Sequence, residues 1–165
     1  GGPQDFTEAR RLYGLAAGQG HADAQDNLGA MHHAGQGGPQ NFSEARRLYG
    51  LAAAQGHADA QCNLGLMHYA GEGGPQDVAE ARRLIGLAAA QGYANAQYTL
   101  AFMHSKGLGG PVDVHEALRL YGLAAEQASR PVSQSASRCS GRKSVSRRVG
   151  EWGGQYLQVY SPNHL

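Results

Sequence analysis

Residues 37–72 read GGPQNFSEARRLYGLAAAQGHADAQCNLGLMHYAGE, and residues 1–36 match them at 29 of 36 positions. The triplet GGP begins again at residues 73 and 109, so the chain is built on a 36-residue period. A period of this length marks a solenoid of small units, each unable to bury its apolar face alone and therefore stacked on its neighbours. Every unit carries two helical patterns. In NFSEARRLYGLAAAQG, Phe42, Ala45, Tyr49 and Ala52 recur at the spacing of one helix face. Its start is signalled by Asp5, Asn41, Asp77 or Asp113, with Glu8, Glu44, Glu80 or Glu116 three residues on, the spacing of a capping box. Its stop is Gly20, Gly56 or Gly92, suited to the left-handed backbone that follows a helix. The other pattern, HADAQCNLGLMHYAG, ends at Gly35, Gly71 or Gly107 before a Gly-Gly-Pro turn that no helix continues through.

The reading is all-α: helix-turn-helix repeats over residues 1–127, then a different segment over 128–165. Within the array, residues 5–19 form an orphan second helix, and helix pairs follow at 21–56, 57–92 and 93–127. No stretch approaches the roughly 18 apolar residues of a membrane-spanning helix, and no basic-then-apolar signal segment opens the chain. The first residue is Gly rather than Met, as expected of a fragment or processed piece, which leaves localisation open. Cys62 and Cys139 lie far apart and offer neither a disulfide framework nor metal-ligand spacing. Of fourteen basic and thirteen acidic residues, six and one lie beyond residue 129, so a mildly acidic body carries a basic tail.

The order Ala, Leu, Gly, Met, Gly in AQDNLGAMHHAGQGG, followed by an Asp, EARRLYGLAA and QGHADA, resembles the Sel-one-like repeat, a relative of the tetratricopeptide repeat. The resemblance covers residues 1 to about 127. It implies a right-handed α/α superhelix that serves as a scaffold for protein partners, as in adaptors of membrane-associated protein degradation and bacterial signalling or host-interaction proteins. Two departures stand out: His32, His68 and His104 occupy a position where the family usually has Tyr, and Leu15, Leu51, Leu87 and Leu123 one where a polar residue is usual. The paired cysteines of the cysteine-rich bacterial subgroup are missing, so the penicillin-binding activity proposed for that subgroup is not carried over.

Comparison of the three copies of the first helix separates two faces. Advancing about 100° per residue from Ala24 places the unchanging Met31, Gly35, Leu28, His32 and Gln25 on one arc, extended by the small Gly29, Gly65 or Ala101. This arc is read as the packing face. The changing positions fall opposite: His33, Tyr69 and Ser105 at about 180°, Asp26, Cys62 and Tyr98 at about 200°, Ala30, Leu66 and Phe102 at about 240°. These nine are the candidate partner contacts, on an arc expected to be exposed; in the resembling superfamily the first helices line the concave surface. Surface drift would produce the same variation, but exposed Phe, Tyr and Leu have the character of an interface. The leucine line admits two readings, a ridge for a partner or packing against the adjacent repeat, and its invariance favours packing.

Chemistry at the histidines is disfavoured. His32 and His33 diverge by about 100°, and His32, His68 and His104 on neighbouring helices about 8–10 Å apart have no carboxylate or cysteine beside them to complete a zinc set. His32 is read as a structural imidazole, and no metal or cofactor is expected. Ser140 and Lys143 have Ser-x-x-Lys spacing but sit in a segment poor in apolar residues, where that nucleophile would lack a buried lysine. Neither a phosphate loop nor a nucleophile elbow is present. Asn41-Phe-Ser matches a glycosylation acceptor, yet Asp fills that place in the other copies, so Asn41 is read as a helix cap. The Ser/Arg-rich tail reads as disordered, either a contact segment or an inert piece, the artefact of a truncated gene model; EWGGQYLQVY reads as a short strand or a segment docked on the last helix, with nothing to specify where. The expected function is therefore a non-enzymatic scaffold or adaptor for a protein or peptide, without a small-molecule substrate. The alternative is nucleic-acid or acidic-partner binding through the tail.

Overall fold

A computed structural model describes residues 5–128, which form seven helices and no strand. They are α1 (Phe6–Gly18), α2 (Ala22–Ala34), α3 (Phe42–Ala54), α4 (Ala58–Ala70), α5 (Val78–Ala90), α6 (Ala94–Lys106) and α7 (Val114–Ala128). Each packs chiefly on its neighbours in sequence, as a helical solenoid of repeats requires. The even-numbered helices are the first helices of the units and the odd-numbered ones the second. The readings of the tail, and of Ser140 and Lys143, lie outside the described residues.

Half of the capping box forms. The carboxylate or amide oxygens of Asp5, Asn41, Asp77 and Asp113 accept from the amides of Glu8, Glu44, Glu80 and Glu116 at 2.9–3.0 Å, which makes Asn41 the helix cap expected of it. The glutamates do not reach back. Each instead takes two bonds from the arginine three residues on, Arg11, Arg47, Arg83 or Arg119, at 2.6–2.9 Å. The cap amides of Asn41, Asp77 and Asp113 are occupied by the preceding helix, donating to the carbonyls of His32, His68 and His104. A tertiary bond across the turn thus takes the place of the local one.

Between α2 and α3 the chain reverses through Gly35 and Gly37, both at positive φ, and the same geometry recurs at Gly71 and Gly73 and at Gly107 and Gly109. A Cβ on Gly73 would press on the Phe42 carbonyl of α3, so this glycine serves close approach as well as backbone freedom. The core runs continuously along the stack. Ala45, Tyr49 and Ala52 are buried as the stripe predicts, joined by Leu48 and Ala53 from the same helix. Tyr49 packs with Ala60, Leu64 and Met67 of α4 and with Leu84 of α5, so one cluster ties three helices together.

Candidate interaction surface

The first helices hold the nine candidate positions, and the structure divides them. Asp26, His33 and Cys62 are buried, with 5%, 7% and 2% of their surface exposed. For these three the expected exposed arc is wrong. Asp26 accepts from Asn63 Nδ2 of the next first helix at 3.1 Å. His33 Nε2 lies 2.7 Å from Glu72 Oε2, beyond the end of α4, and its ring meets Phe42 edge-on at 5.0 Å. Cys62 sits in the cluster of Ile85, Ala88, Ala96 and Leu100, where burial, with Asp59 and Asp26 nearby, pushes its thiol up to about 12. Such a thiol is inert near neutral pH.

The physical reason lies in the solenoid. A first helix meets its own second helix, the preceding second helix and the following unit, so the arc opposite its main packing face is largely a junction with the next repeat. The junctions change in matched sets. Where the first has His33 against Glu72, the second has Tyr69 and Leu108, both packed on one apolar cluster. His57 Nε2 lies 2.8 Å from Asp23 Oδ1 at the first junction; at the second, Tyr93 replaces the histidine and hydrogen-bonds Asp59, and burial with that carboxylate raises the phenol's pKa.

The other six candidates keep some access to solvent. Ala30, Leu66 and Phe102, at one register position in α2, α4 and α6, are all half-buried, as are Tyr69 and Ser105. Tyr98 is 50% exposed, its ring edge-on to Tyr121 at 5.3 Å. Ser105 Oγ is turned back onto the Phe102 carbonyl at 2.8 Å.

The packing arc is as read, with Ala24, Gln25, Leu28 and Met31 buried and His32 half-buried. What the sequence reading missed is how its polar members are used. Arg10 Nη2 donates to His32 Nδ1 at 2.7 Å, and the same guanidinium reaches the carbonyls of Gln36 and Pro39 in the turn. Arg46 with His68 and Arg82 with His104 repeat the clasp at 2.8 and 2.7 Å. Burial, and then the facing arginine, lowers the pKa of all three imidazoles. A second line runs through the stack: Gln55, Gln91 and Gln127 donate to Gln25, Gln61 and Gln97, which donate in turn to the Ala17, Ala53 and Ala89 carbonyls. The signal for the clasp was present, since the arginine of the first three units becomes Leu118 in the fourth, and Ser140 stands where the next histidine would fall.

The leucine line also differs from the expectation of packing. Leu15, Leu51 and Leu87 are 57%, 42% and 43% exposed, while the fourth member, Leu123, is half-buried. Leu51 lies about 240° around the helix from Ala45, away from the buried stripe; invariance between copies does not imply burial. Beneath this ridge an open groove of about 460 Å³ is lined by Gly14, Ala17, Gly18, Leu48 and Leu51, with the Glu44–Arg47 ion pair at its side. No group of three or more His, Cys, Asp or Glu side chains converges on a metal-sized site among the described residues, and none of the described helices is long and apolar enough to cross a membrane.

The Sel1 repeat family model matches residues 1–21, 22–57, 58–93 and 94–129. Among solved structures, a protective antigen present in uropathogenic Escherichia coli strains and displaying an SLR fold is 34% identical, with a TM-score of 0.73 over 76% of this chain and 27% of that one. A Sel1 repeat protein from Oxalobacter formigenes is 32% identical, with a TM-score of 0.71 over 75% of this chain and 49% of that one. The chain thus spans less than half the length of either. No curated protein matches it.

Proposed function

Because the chain belongs to the Sel1 repeat family, whose members are generally protein-interaction scaffolds, we propose that it is a non-enzymatic scaffold that holds a protein or peptide against its first helices. The observation that carries this reading is the row Ala30, Leu66 and Phe102: one register position, half-exposed in the first helices of three successive units, apolar each time and growing in size along the stack. Tyr69 and Tyr98 flank the row and add the aromatic surface that dominates interface energetics. Ser105 supplies a polar edge. Asp26, His33 and Cys62 act from beneath, by fixing the spacing of the helices that present the row.

Affinity capture from the source cells tests this with two variants whose helicity is first checked by circular dichroism. Leu66→Glu with Phe102→Glu alters the row, and Leu51→Glu with Leu87→Glu alters the opposite ridge. The expected result is a partner held by wild type and by the ridge variant but lost from the row variant. Loss only from the ridge variant would move the binding face to the second helices, and the absence of any specific partner would remove the scaffold reading.

A further inference from the structure

We propose that the face of α7 formed by Val114, Leu118 and Tyr121 is the docking surface for the chain's own segment 151–160, EWGGQYLQVY. This goes beyond the scaffold reading and concerns the end of the stack. Val114, Leu118 and Tyr121 stand at i, i+4 and i+7, one stripe of the helix. In the inner units the first two positions of that stripe are covered by the unit that follows, and the third by the first helix before it. Gly73 sits on the Phe42 carbonyl and Arg46 clasps His68 and the next turn, while the ring of Tyr49 lies against Gly29 of α2. At α7, among the described residues, that cover is missing: Val114 is 56% and Leu118 65% exposed, and Tyr121 meets the half-exposed Tyr98.

The residue that changes identifies the occupant as apolar. The position of Leu118 holds arginine in the three other units, where it serves a histidine 22 residues on; at the fourth, Ser140 occupies that place and no GGP turn follows. A lone loss of function at this position would be met by any solvent-compatible residue. Leucine instead extends an apolar patch from Val114 to Tyr121 and Tyr98, which a soluble surface ordinarily keeps small. The residues after α7 contain one concentrated aromatic and aliphatic run, with Trp152, Tyr156, Leu157, Val159 and Tyr160. The 22 residues from 129 to 150 have, at up to about 3.3 Å per residue, more than enough length to pass the roughly 22 Å of the fifteen-residue α7. The segment is therefore long enough to reach every part of the stripe.

Trp152 is the only tryptophan, so its fluorescence in the full chain reports on the contact directly. The expected result is emission blue-shifted from that of the denatured chain, with weak quenching by acrylamide. Leu118→Arg, which restores the residue of the other units, and Val114→Arg should each shift the emission to the red and restore quenching, with far-UV helicity retained. Leu12→Arg, at an equally exposed site on α1 (51%), should leave both unchanged. The proposal is overturned if Trp152 is quenched in wild type as in the denatured chain, if its shielding survives both α7 variants, or if the shielding grows with protein concentration, which would assign the cover to a second copy.

Discussion

A single guanidinium closes each turn of the stack, and the imidazole it faces must be neutral to accept its bond. His32 lies against Arg10, with Glu44 and Arg47 nearby; His68 against Arg46, with Glu80, Asp77 and Arg83; His104 against Arg82, with Glu116 and Asp113. Burial and the facing arginine outweigh the carboxylates, and all three pKa values fall below that of a free histidine. The unfolded chain then binds more protons than the folded one as pH drops below about 6.5, so stability is full above that value and is lost toward the depressed folded pKa. Glu8, Glu44, Glu80 and Glu116 are also lowered, by their arginine partners, but their contribution is lost only in the carboxylate range, below about 4.5. The two windows separate. Urea midpoints measured from pH 7.5 to 5 should fall, and replacing His32, His68 and His104 together by Gln should flatten that fall; a wild-type midpoint constant over the window would remove the clasp from the account of stability. This chemistry was half legible in the sequence. That the histidines pack follows from their arc, but their arginine partners, 22 residues earlier, emerge only from noticing that Leu118 and Ser140 depart together.

Between elements, the informative unit is the junction rather than the helix. Caps, stop glycines and the 36-residue period were readable because each depends on a few adjacent residues. Which residues face solvent was less so: a helical wheel assigns one buried side, whereas a solenoid's inner helix has neighbours on three. Asp26, His33 and Cys62 were therefore misplaced by the same rule that placed Leu28 and Met31 correctly. Their variation records matching across junctions, and this is open to a double-mutant cycle. His33→Tyr alone sets a phenol against the Glu72 carboxylate, and Glu72→Leu alone sets leucine against the imidazole. The double variant reproduces the residue combination of the second junction, where Tyr69 and Leu108 both pack on one apolar cluster. Each single change should destabilise, and the pair should recover part of the loss, a coupling of about 1 kcal/mol within the 0.5–3 kcal/mol usual for contacting residues. Strict additivity in denaturant melts would mean that the two junctions differ by drift and not by matching.

At the scale of the whole molecule the stack is close to one-dimensional, so stability follows the number of neighbours each helix has. The middle helices have neighbours on both sides: Leu48 and Tyr49 of α3 are 2% and 4% exposed, and Leu84 and Ile85 of α5 are 4% and 0%. The same positions in α1, Leu12 and Tyr13, are 51% and 38% exposed, because no first helix packs before them among the described residues. Fully burying side chains of this size is worth about 1.5–3 kcal/mol each, so α1 lacks several kcal/mol of the packing that holds α3. Its own propensity cannot compensate, since an isolated helix of thirteen residues is marginal in water, and Gly14 and Gly18 weaken it further. The clasp of Arg10 on His32 and the Gln25 bond to the Ala17 carbonyl hold it to α2 but bury little apolar surface. Native-state hydrogen exchange should therefore find α1 the least protected of the seven helices and α3 to α5 the most, with Leu12→Ala changing global stability by well under the 2–5 kcal/mol expected for Leu48→Ala. Equal protection of α1 and α3 would show that something other than the described helices covers Leu12 and Tyr13.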